Sequence, residues 1–366
     1  MKKSIQLGLA TIAMAAAALS ACGGGNDADS NAPTEIRTTW FGISNFHYQI
    51  GKTGFILDGE VVNSGSAPSP AAVSKALGAL RKRGSIDYFL VGHEHGDHAL
   101  QIPEYAKQTG KPVFAPAAVC QKVVAYGNPA SQCTTLKGGE TVDLDAYTTV
   151  RVVRWLHSID CGEVGNGTAG VETFGFLITA KTADKVLSVY ASDSGAGGQE
   201  LYIPRVVNKG QPTEATYPSP FDNLSAAFRA AGIPNIDLWQ GGPESRVVAQ
   251  ARIIVPAFGI KYFQPHHLGT RATLVDGKSV GFGLEYGLHF PYLDTEVPKL
   301  TAFLKSANTT AYNPVNYFDA WTLAKDSFRS VDNADVKAVY GLPATGPGPG
   351  KQGPNPRSGQ LECTAD

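Results

Sequence analysis

The residues best equipped for chemistry form one run, His93-Glu94-His95-Gly96-Asp97-His98. Three imidazoles and a carboxylate are crowded there, and such crowding is costly unless a cation takes up the lone pairs. In an extended turn, positions two apart point the same way, so His93 and His95 can grip one cation. Asp97 and His98 point elsewhere and can grip a second. Neutral imidazole and carboxylate are the donors that borderline divalent metals prefer. The plainer reading, polar loop residues at a strand end, leaves the crowding without compensation.

The run follows an apolar stretch, Ile86 to Val91, predicted as a buried strand. It precedes Ala99 to Gly110, predicted as a short helix closed by glycine. The other candidates share this placement. His157 follows a strand predicted over Thr149–Leu156, and Asp193 follows one predicted over Val186–Ala191. The pair His266-His267 follows one predicted over Ile260–Gln264. Strand ends converging on one rim are how α/β sheets build sites. Strands are also predicted over Ile36–Phe41, Phe46–Ile50 and Gly54–Leu57. A helix runs from Ser69-Pro70 to Arg83, with Val73, Ala76, Leu77 and Leu80 on one face. Further helices are predicted over 116–126, 221–231, 245–254 and 296–306. Residues 195–221 have weak periodicity and read as an excursion beside the site, and 344–356 as an irregular tail. Alternating strands and helices make a layered α/β domain.

The pattern His-x-His-x-Asp-His, followed in order by His157, Asp193 and His267, resembles that of the metallo-β-lactamase superfamily. The resemblance covers about Ile36 to Leu293 and implies a four-layer αββα sandwich. The gaps after His98 are 59, 36 and 74 residues, similar to the branch of lactonases, ribonuclease-Z-like enzymes and phospholipase-D-like enzymes. Carried over residue by residue, it puts one metal on His93, His95 and His157. A second lies on Asp97, His98 and His267, with Asp193 bridging. Pro-x-His in related hydrolases favours His267 over its neighbour His266. No cysteine stands at the second-metal position, unlike the zinc β-lactamases that use a thiolate there.

The implied cofactor is a pair of divalent ions, zinc first, with manganese and iron(II) as the other candidates. Two such ions lower the pKa of a shared water toward neutrality and polarise the oxygen under attack. Asp97 would orient the bridging hydroxide. No separate protein nucleophile is needed. The implied function is hydrolysis of a small or lipid-like ester, lactone or phosphodiester. Two rival readings are an iron-dependent oxidoreductase on the same ligands and a non-catalytic envelope protein stabilised by metal. His47 lies where relatives run an opening hairpin past the metals, and is a candidate proton donor. Asp58 ends its strand as a residue behind the ligands does in relatives, although Asp58-Gly59-Glu60 departs from the Asp-Pro of the lactonase and phospholipase-D-like branch. Tyr202, Trp239, Phe282, Tyr286, His289 and Tyr292 are candidates for a substrate cleft, with plain core as the alternative. Arg205, Lys209 and Arg271 are candidates for an anion, with a solvated surface as the alternative.

The 366 residues carry 31 basic and 32 acidic side chains. Met1-Lys2-Lys3, the apolar stretch Ile5 to Leu19 and Leu19-Ser20-Ala21-Cys22 read as a secretory signal ending in a bacterial lipobox. Cleavage before Cys22 and lipidation of its thiol would tether the chain through residues 22–34. The expected layout is then signal 1–21, tether 22–34, domain 35–342 and tail 343–366. Gly23 after the cysteine points to the periplasmic face of an outer membrane. Loss of Lys2 and Lys3 leaves 29 basic against 32 acidic residues, net −3, which is no footprint for nucleic acid. In an oxidising compartment Cys120 and Cys133 are the local disulfide choice, which leaves Cys161 with Cys363. Labelled palmitate is expected to enter the wild-type chain and not Cys22→Ser; label retained by the variant would rule out the lipid anchor.

Overall fold

The computed structural model describes residues 31–61, 66–157, 171–192, 198–207, 210–212, 214–241, 247–268, 273–275, 278–280, 288–290, 296–350 and 352–354. In chain order the first half comprises β1 (Ile36–Trp40), β2 (Phe46–Ile50), β3 (Thr53–Leu57), α1 (Pro70–Leu80), β4 (Tyr88–Leu90), α2 (Gly96–Ala99), α3 (Ile102–Thr109), β5 (Val113–Ala115), α4 (Ala117–Ala125) and β6 (Cys133–Thr135). There follow β7 (Thr141–Asp143), β8 (Thr148–Trp155), β9 (Thr173–Lys181), β10 (Val186–Ser192), β11 (Arg205–Val207), β12 (Ala215–Tyr217), α5 (Pro220–Ala231), β13 (Leu238–Gly241), α6 (Val247–Phe258) and β14 (Tyr262–Pro265). The last elements are β15 (Thr273–Val275), β16 (Lys278–Val280), β17 (Leu288–Phe290), α7 (Glu296–Ser306), β18 (Thr310–Ala311), β19 (Ala320–Ala324), β20 (Ser327–Val331), α8 (Ala334–Val339) and β21 (Gln352–Pro354).

Two mixed sheets carry the fold. The first has the order β20-β19-β1-β2-β3-β4-β5-β6, and the second β18-β14-β13-β10-β9-β8-β7. Each joins an antiparallel half to a parallel half: β3 through β6 run parallel, as do β10, β13, β14 and β18. Side-chain alternation along a strand shows why both faces are covered. In β9, Phe176 and Ile178 point into the core shared with Phe46, Tyr48 and Phe55 of the first sheet. Leu177 between them points the other way, into a second core with Trp155, Tyr190 and Trp239. That core is closed by Leu224 of α5, Ala251 and Ile254 of α6 and Leu300 of α7. Val73, Leu77 and Leu80 of α1 and Val336 of α8 cover the first sheet. The result is the expected αββα order of layers. Each large aliphatic side chain so buried stabilises the fold by roughly 1.5–3 kcal/mol.

Local chemistry sets several boundaries. Ser69 caps α1, its side chain accepting from the Ala72 amide, and Pro70 occupies the first turn, where no amide is needed. Gly110 ends α3 at φ +67°, a left-handed turn that suits glycine. The helix expected from Ala99 to Gly110 begins only at Ile102, as α3, because the motif first winds a short turn of its own, α2. A disulfide joins Cys120 of α4 to Cys133 of β6, with Cα atoms 5.4 Å apart. Closing so short a loop contributes about 3 kcal/mol in the chain-entropy model. Cys161, Cys363 and residues 1–30, where the sequence reading puts the signal and most of the tether, lie outside the described residues.

Two features depart from the sequence reading. The hairpin β19–β20 lies beyond Leu293, yet it extends the first sheet by pairing with β1. Part of the expected irregular tail forms β21, parallel to β17. His47 is a third correction. Tyr48 faces the second sheet and hydrogen-bonds Gln240, so His47, its neighbour in β2, faces the opposite side. There its Nε2 donates to the Ser85 carbonyl at 2.8 Å, and the ring is 1% exposed. It is buried structure rather than a proton donor at the rim.

Burial, which outweighs the Ser85 hydrogen bond and is reinforced by the Arg83 and Arg37 charges, lowers His47 from the ordinary 6.5 to about 4. The unfolded chain therefore takes up this proton first as the pH falls. Stability from this residue is complete above pH 6.5 and is lost on acidification toward pH 4, up to about 3 kcal/mol at ~1.4 kcal/mol per unit. In urea unfolding, His47→Gln is expected to show a shallower loss of stability than wild type across that window. Parallel pH profiles for the two proteins would contradict this.

Candidate metal centre

The first ligand group grows from the end of β4. Val91 is still held in the sheet by the Phe114 carbonyl, and the Gly92 carbonyl accepts from Phe174 of the second sheet. Alternation then sends His93 and His95 to one side. Glu94 goes to the other, where it pairs with Lys122 Nζ at 2.9 Å. Trp155 ends β8, which brings His157 over the same spot. The three rings stand edge-on to one another, centroids 4.5–4.7 Å apart. One nitrogen from each ring lies within 4.8 Å of the others. His93 is buried, whereas His95 is exposed and His157 partly so, so this group opens to solvent.

The second group comprises Asp97, His98 and His267, again within 4.8 Å. The two groups adjoin, since the His93 and His98 ring centroids are 3.9 Å apart. The short turn α2 carries Asp97 and His98, with the Ala99 amide bonded to the His95 carbonyl at 2.8 Å. Behind them lies Asp58, fully buried at the end of β3. One of its oxygens accepts from the Gly92 amide at 2.9 Å. The other accepts His98 Nδ1–H at 2.8 Å and the Ser44 hydroxyl. Ser44 Oγ is also 2.7 Å from that ring nitrogen. An ionised carboxylate only accepts, so Nδ1 of His98 carries the proton and Nε2 presents a lone pair. That lone pair points at Nε2 of His267, 3.0 Å away. His267 reaches this place through a left-handed backbone (φ +63°) held by its amide on the Ile43 carbonyl. Burial alone would raise the Asp97 carboxyl, but the His98, His93 and His95 rings bring it below the ordinary carboxylate range.

These donors fit divalent metal. All are imidazole or carboxylate, the sets favoured by zinc, manganese and iron(II). One ring already has its outward nitrogen freed by a carboxylate behind it, the arrangement that raises ligand basicity. The structure thus brings together His93, His95, Asp97, His98, His157 and His267. Asp193 lies just outside the described residues, although Ser192 before it ends β10. His47 is not brought in. Asp58 sits behind the ligands, as the resemblance implied. Ser44 was not legible, because its partners are 14 and 54 residues away and no local pattern marks it.

The substrate-contact candidates fare less well. Trp239 is fully buried and donates to Ser192 Oγ at 3.0 Å, so it is core. Tyr202 is exposed and packs on Phe221. Arg205 donates to the Trp155 carbonyl at 3.0 Å, two residues before His157. Burial, with Arg154 adding to it, pulls its pKa down. His289 lies in β17, while Lys209, Arg271, Phe282, Tyr286 and Tyr292 fall outside the described residues.

No family model matches the chain. A UPF0173 metal-dependent hydrolase of Methanopyrus kandleri is 28% identical over 178 residues, 47% of this chain and 70% of the relative. One of Pyrobaculum calidifontis is 28% identical over 127 residues, 35% of this chain and about half (53%) of that relative. With the ordered ligand set gathered at one rim of two facing mixed sheets, these similarities support a place in the metallo-β-lactamase superfamily. Among solved structures, Igni18, a metallo hydrolase from Ignicoccus hospitalis, superposes with a TM-score of 0.48 at 16% identity, over 80% of this chain and 100% of that one. The metallo-β-lactamase-fold protein YhfI of Bacillus subtilis gives 0.45 at 14%, over 79% and 100%. CmlA, a diiron β-hydroxylase from Streptomyces venezuelae, gives 0.45 at 15%, over 80% and 55%.

Asp58 is the residue whose change should be felt without touching a ligand. Asp58→Asn is expected to lose about 1.5–3 kcal/mol of stability in metal-free protein, the size of a charge-assisted hydrogen bond. It should also bind zinc 10–100-fold more weakly. Denaturant unfolding and equilibrium dialysis check the two, and wild-type zinc affinity in the variant would refute the role.

Proposed function

We propose that the protein is a binuclear metal-dependent hydrolase acting on a small or lipid-like ester, lactone or phosphodiester. The observation that carries this reading is the facing pair His98 Nε2 and His267 Nε2, 3.0 Å apart beside a second group of three imidazoles. Facing ring nitrogens call for a cation, and the adjoining group calls for another. The relatives named metal-dependent hydrolases support the class of reaction.

Two divalent ions bound here supply an activated water at neutral pH and a Lewis acid for the acyl or phosphoryl oxygen. His93, His95 and His157 would hold one, and Asp97, His98 and His267 the other. The resemblance assigns Asp193, the residue after β10, to both. Asp97 keeps its carboxylate ionised and a quarter exposed, so its second oxygen can accept a hydrogen bond from the attacking water and fix its orientation. Substrate approaches past His95 and His157, the exposed side of the site. A lipidated Cys22 would place the enzyme at the cell envelope, where ester and phosphodiester lipids are at hand.

Metal analysis of the native protein, coupled to a screen of generic esters, lactones and bis-nitrophenyl phosphate, tests this. Wild type is expected to hold about two ions per chain. Asp193→Ala should hold one or fewer and lose turnover by orders of magnitude, because two cations without their shared anion repel strongly. Two ions and near-normal turnover in Asp193→Ala would refute the binuclear assignment. Protein with iron alone that consumes oxygen and hydrolyses nothing would replace hydrolysis by oxidation.

A further inference from the structure

Two adjacent histidines follow β14, and the proposed centre uses one. Consecutive residues of an extended strand point to opposite faces. The left-handed turn at His267 breaks that alternation, so the two rings meet on one side with centroids 5.1 Å apart. Nδ1 of His266 lies 2.9 Å from Nδ1 of His267. Nε2 of His266 lies 2.7 Å from the Ser192 carbonyl. Both rings are buried, at 1% and 2% exposure.

The direction of each hydrogen bond follows from elementary chemistry. A carbonyl oxygen only accepts, so His266 Nε2 carries its ring's proton. In a neutral ring Nδ1 is then an acceptor, and its partner must be the donor. His267 therefore carries its proton on Nδ1, which leaves Nε2 with the lone pair. That is the nitrogen facing His98 Nε2.

We propose that His266 is a positioning residue for the second metal site: by donating to Ser192 and accepting from His267, it fixes the His267 tautomer that turns a lone pair toward the metal. The inference rests on the metal-centre reading above. Metal-binding imidazoles usually give their other N–H to a carboxylate, backbone carbonyl or water. Here a second imidazole takes that place and passes the bond on to the end of β10. Asp193 is the next residue after Ser192, so the chain of bonds ties the last two ligand-bearing strands into one unit. His98 is set in the same way from the other side by Asp58. Opposed rings thus reach the metal with both outward nitrogens unprotonated, each set by a group behind it.

The test uses the full chain labelled with nitrogen-15 at histidine, at a pH where the rings are neutral. Long-range proton–nitrogen spectra of metal-free wild type should show His267 protonated on Nδ1; protonation on Nε2 would overturn the proposal. Zinc binding is then followed by equilibrium dialysis in three variants. His266→Phe fills the space but cannot accept, and His266→Ala does neither. Both should bind the second zinc 10–100-fold more weakly. His266→Asn, whose Oδ1 accepts in place of Nδ1, should recover most of that loss. Wild-type affinity in His266→Phe, with an unchanged His267 tautomer, would also overturn it. If instead wild type binds only one ion while His267 still shows the Nδ1 proton, the binuclear reading fails and the tautomer assignment stands.

Discussion

The site depends on one buried carboxylate. Asp58 has no exposure, and a charge taken out of water is stable only when hydrogen bonds replace its hydration. Its two oxygens meet that need with the Gly92 amide, the His98 ring and the Ser44 hydroxyl. Each of those bonds reaches a different piece of backbone: the loop after β4, the turn α2 and the loop between β1 and β2. Satisfying one charge therefore registers three segments at once. The motif's ligands inherit that registration, because Gly92 immediately precedes His93 and His98 closes the run.

The sheets supply the larger frame. In both, the strands that deliver ligands end on the same rim: β4, followed by the motif, on one side, and β8, β10 and β14 on the other. The Gly92 carbonyl, bonded to Phe174, stitches that rim across the gap between sheets. The Ile43–Leu268 bridge and the His267 amide on Ile43 stitch it again. The two candidate ligand groups, each drawn from both sheets, can then keep a constant spacing, because the space between the sheets is packed with large aromatic side chains such as Phe46, Tyr48, Phe174 and Phe176.

Histidines on this chain serve opposite purposes, and their surroundings separate them. His47 is surrounded by sheet and backbone, with cationic Arg83 and Arg37 in range, and is held neutral. His98 and His267 have hydrogen-bond partners at one nitrogen and face each other with the second. His93, His95 and His157 lean on one another at the solvent edge. The difference lies in which partner takes the first nitrogen, and so in what the second can do.

Much was legible in the chain itself. The His-x-His-x-Asp-His run, its place after an apolar strand and the strand ends before His157 and His267 are all local patterns, as is the Cys120–Cys133 pairing. Short-range periodicity and turn chemistry encode these directly. Tertiary structure decided the rest. Ser44 reaches Asp58 and His98 across 14 and 54 residues, and His266 reaches Ser192 across 74. The hairpin β19–β20 joins β1 from the far end of the chain. His47 turned away from the site because Tyr48, its neighbour, was taken by the inter-sheet core. Contacts of that kind depend on which surfaces two packed sheets present to each other. No window of neighbouring residues carries that information, whereas four of the candidate metal ligands, His93, His95, Asp97 and His98, are written within six positions.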